Sequence, residues 1–324
     1  MKVVEESHTV HLTLDRWVIT MVVLAGGALL VMLGCLQVGV QHIGLAEAAR
    51  ILFRAVSEWQ TGMPAQGSAG VILLQVRLPR VVLGFLVGGG LAVVGVALQA
   101  LLRNPLADPY VLGISSGAAL GAAVAIFLGI GRTVLAISAL PAFAFAGGLI
   151  ALIVVYRIAA VQGRFSVYIL LLAGVILNSI FSAVIMFLTS IMSPNRSFGT
   201  MAWLMGTLTA PTYPAMVALV AYLITGGLIL IWQAKPLNLM ALGEESALSM
   251  GVNVSRVKRI VFVTSALLTG AVVSVSGMIG FIGMVVPHAV RLVTGADHRL
   301  LLPASALVGG TALVAADTVA RIVL

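Results

Sequence analysis

The chain has 324 residues, of which 61% are hydrophobic and 9% are Asp, Glu, Lys or Arg, with a formal net charge of +8. A soluble domain carries about 25% charged residues, and no soluble core of this length has the interior volume to hide so much apolar surface. The composition excludes a soluble globular protein. It predicts an all-α, polytopic transmembrane helix bundle forming a single membrane domain over residues 1–324.

Glu5, Glu6 and Asp15 precede a long apolar run that no clear small-residue cleavage site follows, so the first helix is expected to be retained and not removed as a signal peptide. About 20 apolar residues are needed to cross roughly 30 Å of hydrocarbon. Nine segments qualify: Trp17–Val38, Val81–Leu102, Val111–Gly129, Val134–Tyr156, Val167–Met192, Tyr213–Gln233, Ile260–Val275, Ile279–Val293 and Leu301–Val323. The seventh and eighth are short and run together through Ser276-Gly277-Met278. In the loop after the first span, Leu45, Ala48, Ala49, Ile51, Leu52 and Val56 form one apolar helical face opposite Glu47, Arg50 and Arg54. In the second span, Gly84, Gly88 and Ala92 recur every four residues, a small-residue surface on which another helix packs closely. Cys35, the lone cysteine, lies inside the first span and has no disulfide or metal partner in the chain.

Of the 18 Lys and Arg residues, seven fall outside if the N-terminus is cytoplasmic: Arg50, Arg54, Arg77, Arg80, Arg132, Arg196 and Arg321. The other eleven fall inside, which favours that orientation modestly. Because the basic residues flank spans, the net charge reflects membrane anchoring and no nucleic acid partner is expected.

Absent chemistry narrows the function. Among the ten acids only Asp317 lies in a span, near its outer end, whereas ion-coupled carriers keep ionisable groups near the midplane. The three lysines, Lys2, Lys235 and Lys258, stand in no phosphate-binding loop, so ATP hydrolysis requires another chain. No nucleophile–base set and no metal-ligand spacing occurs; no catalytic residue, metal or cofactor is expected in this chain.

The loop 235–259 has the pattern of a part that another subunit grips. Glu244 and Glu245 start a short helix, where the helix dipole favours acids. Ala247, Leu248 and Gly251 form a small apolar face, and Gly251 stops the helix. A plain solvated connector is the alternative. Along the fifth span, Gly174, Asn178, Ser182 and Met186 follow at four-residue spacing, a small and polar stripe that suits the wall of a pathway for a bulky ligand. Helix–helix hydrogen bonding by Asn178 is the alternative there.

Glu245-Ser-Ala-x-x-x-Gly251 resembles the EAA-loop signature of ABC importer permeases. Arg77-Leu-Pro-Arg80, Gln99-Ala-Leu-Leu-Arg-Asn-Pro-Leu-Ala-Asp-Pro109, Leu112-Gly-Ile-Ser-Ser-Gly117, Leu172-Ala-Gly174, Gly280-Phe-Ile-Gly-Met-Val-Val-Pro-His288 and Asp297-His-Arg-Leu-Leu-Leu-Pro303 follow in an order similar to the permease family that imports iron-siderophores, haem and vitamin B12. The resemblance covers the chain from about Arg77 to its end.

That resemblance implies a homodimer in the bacterial cytoplasmic (inner) membrane, with its pathway on the two-fold axis. Two ATPase subunits, carrying ATP and Mg, would bind on the cytoplasmic side and a substrate-binding protein outside. By the same resemblance Arg77, Arg80 and Arg321 match the arginines that pair with glutamates of the binding protein. Interfacial snorkelling of Arg77 and Arg80, and an i,i+4 pair of Arg321 with Asp317, are the alternatives. Asn104, Leu106, Val167 and Tyr168 would form the cytoplasmic gate, and Glu244, Glu245, Ala247 and Gly251 the ATPase coupling loop. Family members usually have ten spans, so one more apolar span of about 20 residues is expected after Leu324. An ion-coupled secondary transporter is the competing reading, which the missing midplane carboxylates disfavour.

Overall fold

A computed structural model describes residues 13–39, 43–57, 67–130, 139–161, 164–209 and 212–323. The outer Arg132, the N-terminal Glu5 and Glu6 and the first residues of the fourth predicted span lie outside the described residues. The chain enters the bundle through α1 (Leu14–Gln37) and the amphipathic α2 (Leu45–Ser57). A short α3 (Ser68–Val71) continues through a π-helical turn, Ile72–Arg77, into α4 (Leu78–Leu102). A 3-10 turn, Pro109–Leu112, leads into α5 (Ile114–Leu128). Then come α6 (Ala139–Ala159), a two-residue ladder of β1 (Ala160–Val161) on β2 (Arg164–Phe165), α7 (Val167–Ile191), α8 (Pro194–Leu204) and α9 (Tyr213–Trp232). The inner-end helices α10 (Ala234–Ala241) and α11 (Glu244–Ser249) precede α12 (Val254–Ser276), α13 (Ile282–Thr294) and α14 (His298–Val323).

Seven helical segments among the described residues are long and apolar enough to span a membrane: α1, Ser68–Leu102, α6, α7, α9, α12 and α14. The third and eighth predicted spans are shorter than expected, with 15 residues in α5 and 13 in α13. Both fall short for one reason: the apolar run begins outside the helix. Val111 sits in the 3-10 turn and Ile279 in the non-helical stretch between α12 and α13. The seventh span, conversely, begins earlier than predicted, at Val254.

Helix α4 is the centre of the bundle. The apolar faces of membrane helices gain nothing from leaving lipid, so association rests on close packing and hydrogen bonds. A methyl group on Gly88 would collide with the carbonyl of Gly309, and one on Gly309 with Gly88 and Ala92. The small-residue face of α4 therefore receives α14 backbone against backbone. The pair α5 and α6 closes the same way through Gly117, Gly121 and Gly147. Helix α2 turns Ala48, Ile51 and Leu52 onto a cluster with Cys35, Leu36 and Leu73, although Leu45 and Ala49, expected on that face, are exposed.

Three prolines explain local departures from regular helix. Proline has no N–H, and its ring crowds the carbonyl four residues back. The widened turn at Ile72–Arg77 makes room ahead of Pro79. Pro303 leaves the Arg299 carbonyl without its helical donor, and the Trp17 indole N–H donates to that oxygen at 3.2 Å. Pro287 does the same for the Gly283 carbonyl, which lies against Gly95 of α4.

Candidate functional site

At the inner end, α10 and α11 are built into the bundle. Leu237, Met240 and Ala247 are buried in the main core cluster. Gly251 (φ 83°) closes α11 with a paired cap: its N–H donates to Leu248 O at 2.9 Å and that of Val252 to Ala247 O at 2.9 Å. Helix α11 thus stops where the sequence predicts.

Two polar clamps fix this unit. The Lys258 ammonium of α12 donates to Glu244 Oε2 at 2.6 Å, and Arg103 lies 3.7 Å from Glu244 Oε1 while donating to Met240 O at 3.0 Å. Asn238 Nδ2 donates to Asp297 Oδ1 at 2.7 Å, and its Oδ1 accepts from the His298 backbone N–H and from His298 Nδ1. Asp297 also caps α14, accepting from the Arg299 backbone N–H and guanidinium. Burial pushes the Asp297 carboxyl up, but the hydrogen bonds from Arg299 and Asn238 outweigh it and hold the pKa down at about 2. Asp297 is therefore ionised across the physiological range.

Of the four coupling-loop candidates, Glu245 and Gly251 are exposed, Glu244 faces inward to its cationic partners, and Ala247 is fully buried. The predicted apolar face is thus divided. Ala247 serves the bundle, while Leu248 and Gly251 stay exposed.

Arg103 adopts a left-handed conformation (φ 49°) at the end of α4, directly before the gate candidates. Asn104 Oδ1 accepts from the Leu106 N–H at 2.9 Å, a tight turn that presents the exposed Leu106. Tyr168 is also exposed, whereas Val167 packs against the core. Sequence reasoning missed Arg103, Lys258, Asn238 and Asp297. Arg103 and Asp297 lie inside quoted motifs, so their signal was visible without its partner.

Along α7, Asn178, Ser182 and Met186 are all exposed. Gly174 is not. It lies under the 3-10 turn, and an added methyl there would press on the backbone of Leu112 at 3.0 Å. Gly174 lets Pro109–Leu112 approach α7 and does not line an open surface.

At the outer end the three arginines separate. Arg77 is 5% exposed. Its Nη1 donates to Leu36 O at 3.0 Å and Gln37 O at 3.2 Å, satisfying carbonyls at the end of α1. It is turned inward and not available for docking in this conformation. Arg80 grips Asp317 through Nε and Nη2, with Nη2 at 2.8 Å, and Arg321 Nε lies 3.1 Å from the other Asp317 oxygen. The i,i+4 alternative for Arg321 is thus realised. Arg80 and Arg321 are the partly exposed members.

The FecCD transport family model matches residues 19–324. The chain belongs to the FecCD transport family. It is 47% identical to the cobalamin import system permease protein BtuC of Halobacterium salinarum over 81% of this chain and 69% of that protein. To the hemin transport system permease protein HmuU of Yersinia pestis it is 39% identical over 91% and 86%, respectively. Its fold is similar to a solved structure described as an inward-facing conformation of a putative metal-chelate type ABC transporter, with a TM-score of 0.80 and 28% identity over 94% of this chain and 91% of that one. The chain is thus a multi-pass inner-membrane permease.

Proposed function

We propose that this permease is the transmembrane subunit of an ATP-driven importer for a metal chelate of the iron-siderophore, haem or cobalamin type. It works by alternating access as a homodimer, with two cytoplasmic ATPase subunits that hold ATP and Mg and an extracytoplasmic substrate-binding protein. The names of its relatives support the cargo class. The observation that carries the mechanism is the tie from the capped helix α11 through Glu244 to Arg103, the residue before the gate turn Asn104–Leu106.

In this reading, closure of the ATPase subunits displaces α10 and α11 as one body. Glu244 passes the displacement to α12 through Lys258 and to the gate turn through Arg103, while Asn238 carries it to the start of α14. The exposed face of α7 supplies the pathway wall and, with its many apolar residues, the contact with the second copy. Reconstitution with the ATPase and binding protein tests this. Side chains in such a network shift coupling by about 0.5–2 kcal/mol. Glu244→Gln combined with Arg103→Met is therefore expected to keep ATP turnover while cutting uptake per ATP several-fold. Wild-type uptake at matched expression removes the tie from the mechanism.

A further inference from the structure

Between α9 and α14, over the middle of α4, the bundle has an apolar cavity that the coupling, gate and docking readings leave unused. We infer that it binds one acyl chain of an anionic phospholipid from the cytoplasmic leaflet, with Lys235 at its mouth as the headgroup contact. The inference goes beyond the transport reading and does not depend on the cargo.

The hollow is made by missing side chains. Gly89 and Gly90 of α4 form its floor with Leu268 of α12, and the stretch from Leu302 to Leu307 of α14 forms one wall. On the opposite wall α9 steps from Val220 through Ile224 and Gly227 to Ile231, and a methyl group on Gly227 would meet nothing within 4 Å. The cavity holds about 410 Å³, and every side chain that lines it is apolar. A buried water needs polar partners, and this lining offers none. Ile224 and Leu228 of the same wall are exposed at the surface of the bundle, so the cavity is open to the hydrocarbon beside it.

Length selects the occupant. From Val220 to Ile231 the helix rises about 16 Å, roughly half the thickness of the hydrocarbon core. That is the depth of one leaflet, the reach of one acyl chain. The next residue, Trp232, is 83% exposed at the inner end, where aromatic side chains mark the membrane–water boundary. The groove therefore belongs to the cytoplasmic leaflet and ends at its headgroups.

Charge selects the headgroup. Gln233 keeps a right-handed helical conformation between α9 and α10, so Lys235 stands one turn beyond Ile231 on the same side. On the other wall Arg299 lies one turn before Pro303. Asn238, one turn after Lys235, donates to Asp297, and the Arg299 guanidinium grips that same carboxylate. Both walls thus bring a cation to one mouth. Arg299 is shared with Asp297, whereas Lys235 is exposed and makes no ion pair or hydrogen bond among the described residues. Basic sites between spans on the cytoplasmic side suit anionic lipid headgroups.

The test is native mass spectrometry of the permease assembled with its ATPase subunits, titrated with palmitoyl-oleoyl phosphatidylglycerol or with phosphatidylcholine of the same chains. Wild type is expected to hold one phosphatidylglycerol tightly per permease chain. Gly227→Leu fills the groove from an open position and should weaken both lipids on the order of tenfold, since each buried methylene contributes to binding. Lys235→Gln should weaken phosphatidylglycerol about fivefold, the effect of one basic residue at an anionic headgroup. It should leave phosphatidylcholine unchanged, and Lys235→Arg should restore the preference. Unchanged lipid retention in Gly227→Leu places the lipid elsewhere and overturns the inference. Equal affinity of wild type for the two lipids overturns it as well, and so does release of a second copy or another protein by Gly227→Leu. Lys235 is exposed and packs on nothing, so its arm decides the headgroup even where Gly227→Leu folds poorly.

Discussion

Helices α4 and α7 have the same length, 25 residues, and the spans that contain them, Ser68–Leu102 and Val167–Ile191, have the same mean hydropathy, 2.5. The first is mostly buried and the second mostly exposed. Hydropathy therefore says that both cross the membrane but not which is the centre and which is the face. Glycine placement separates them. Helix α4 has Gly84, Gly88, Gly89, Gly90 and Gly95, four of them crowded by neighbouring backbone or side chains within 3.0 Å or just above. Helix α7 has Gly174 as its one glycine, and its polar positions Asn178 and Ser182 are exposed, with no covering helix within this chain.

The largest effect tests the centre. Gly95→Leu places a side chain on the carbonyl of Gly283, and overpacking of this sort costs about 1–3 kcal/mol or more. Loss of the folded gel-filtration peak, or a large fall in thermal midpoint, is expected. The matched change on α7, Ile180→Leu, is expected to stay within about 0.5 kcal/mol of wild type. Equal stability of the two variants breaks the comparison.

A middle effect tests the face. Asn178→Leu should leave the thermal midpoint unchanged, since the side chain is exposed. Losing one polar contact to a passing ligand forfeits about 1–2 kcal/mol, so transport is expected to fall roughly tenfold in the reconstituted system. A drop in stability with intact transport would assign Asn178 to packing.

The smallest effect sharpens the outer edge of α4. Exposed ion pairs are worth about 0.2–1 kcal/mol each, so Arg80→Glu with Arg321→Glu should weaken binding-protein docking several-fold, as read by surface plasmon resonance. Arg77→Ala should lower the thermal midpoint and leave docking unchanged, because its guanidinium holds the end of α1. Equal docking losses from Arg77 and Arg80 would show that Arg77 swings outward.

Features that depend on neighbours in the chain were legible from sequence. The four-residue spacing of Gly84, Gly88 and Ala92 announced a close crossing, and Gly251 marked the end of α11 because a left-handed cap is a local demand. Features that depend on distant partners were not. Nothing near Arg77 names the carbonyls of Leu36 and Gln37, and nothing near Glu244 names Arg103. The two short helices escaped for a different reason. Apolar residues score alike inside and outside a helix, so Val111 and Ile279 were counted into spans that begin only at Ile114 and Ile282. Asn178, Ser182 and Met186 were legible as a stripe, but Gly174 could not be separated from them without the turn that covers it.

The glycine-to-glycine crossing of α4 and α14 makes these two helices a single rigid block. With Gly309 seated against Gly88 and Ala92, a slide of one turn would drive Leu313 or Ala306 into bare backbone. Helix α1 is pinned to the same block where the Trp17 indole donates to Arg299 O of α14, and Arg16 reaches Thr294 O at the end of α13. Spectroscopic labels on α1, α4 and α14 should therefore keep their mutual distances through the cycle. Under the proposed importer reading, the movement is expected in α7 and the turns that lean on it, whose exposed face has no covering helix within this chain.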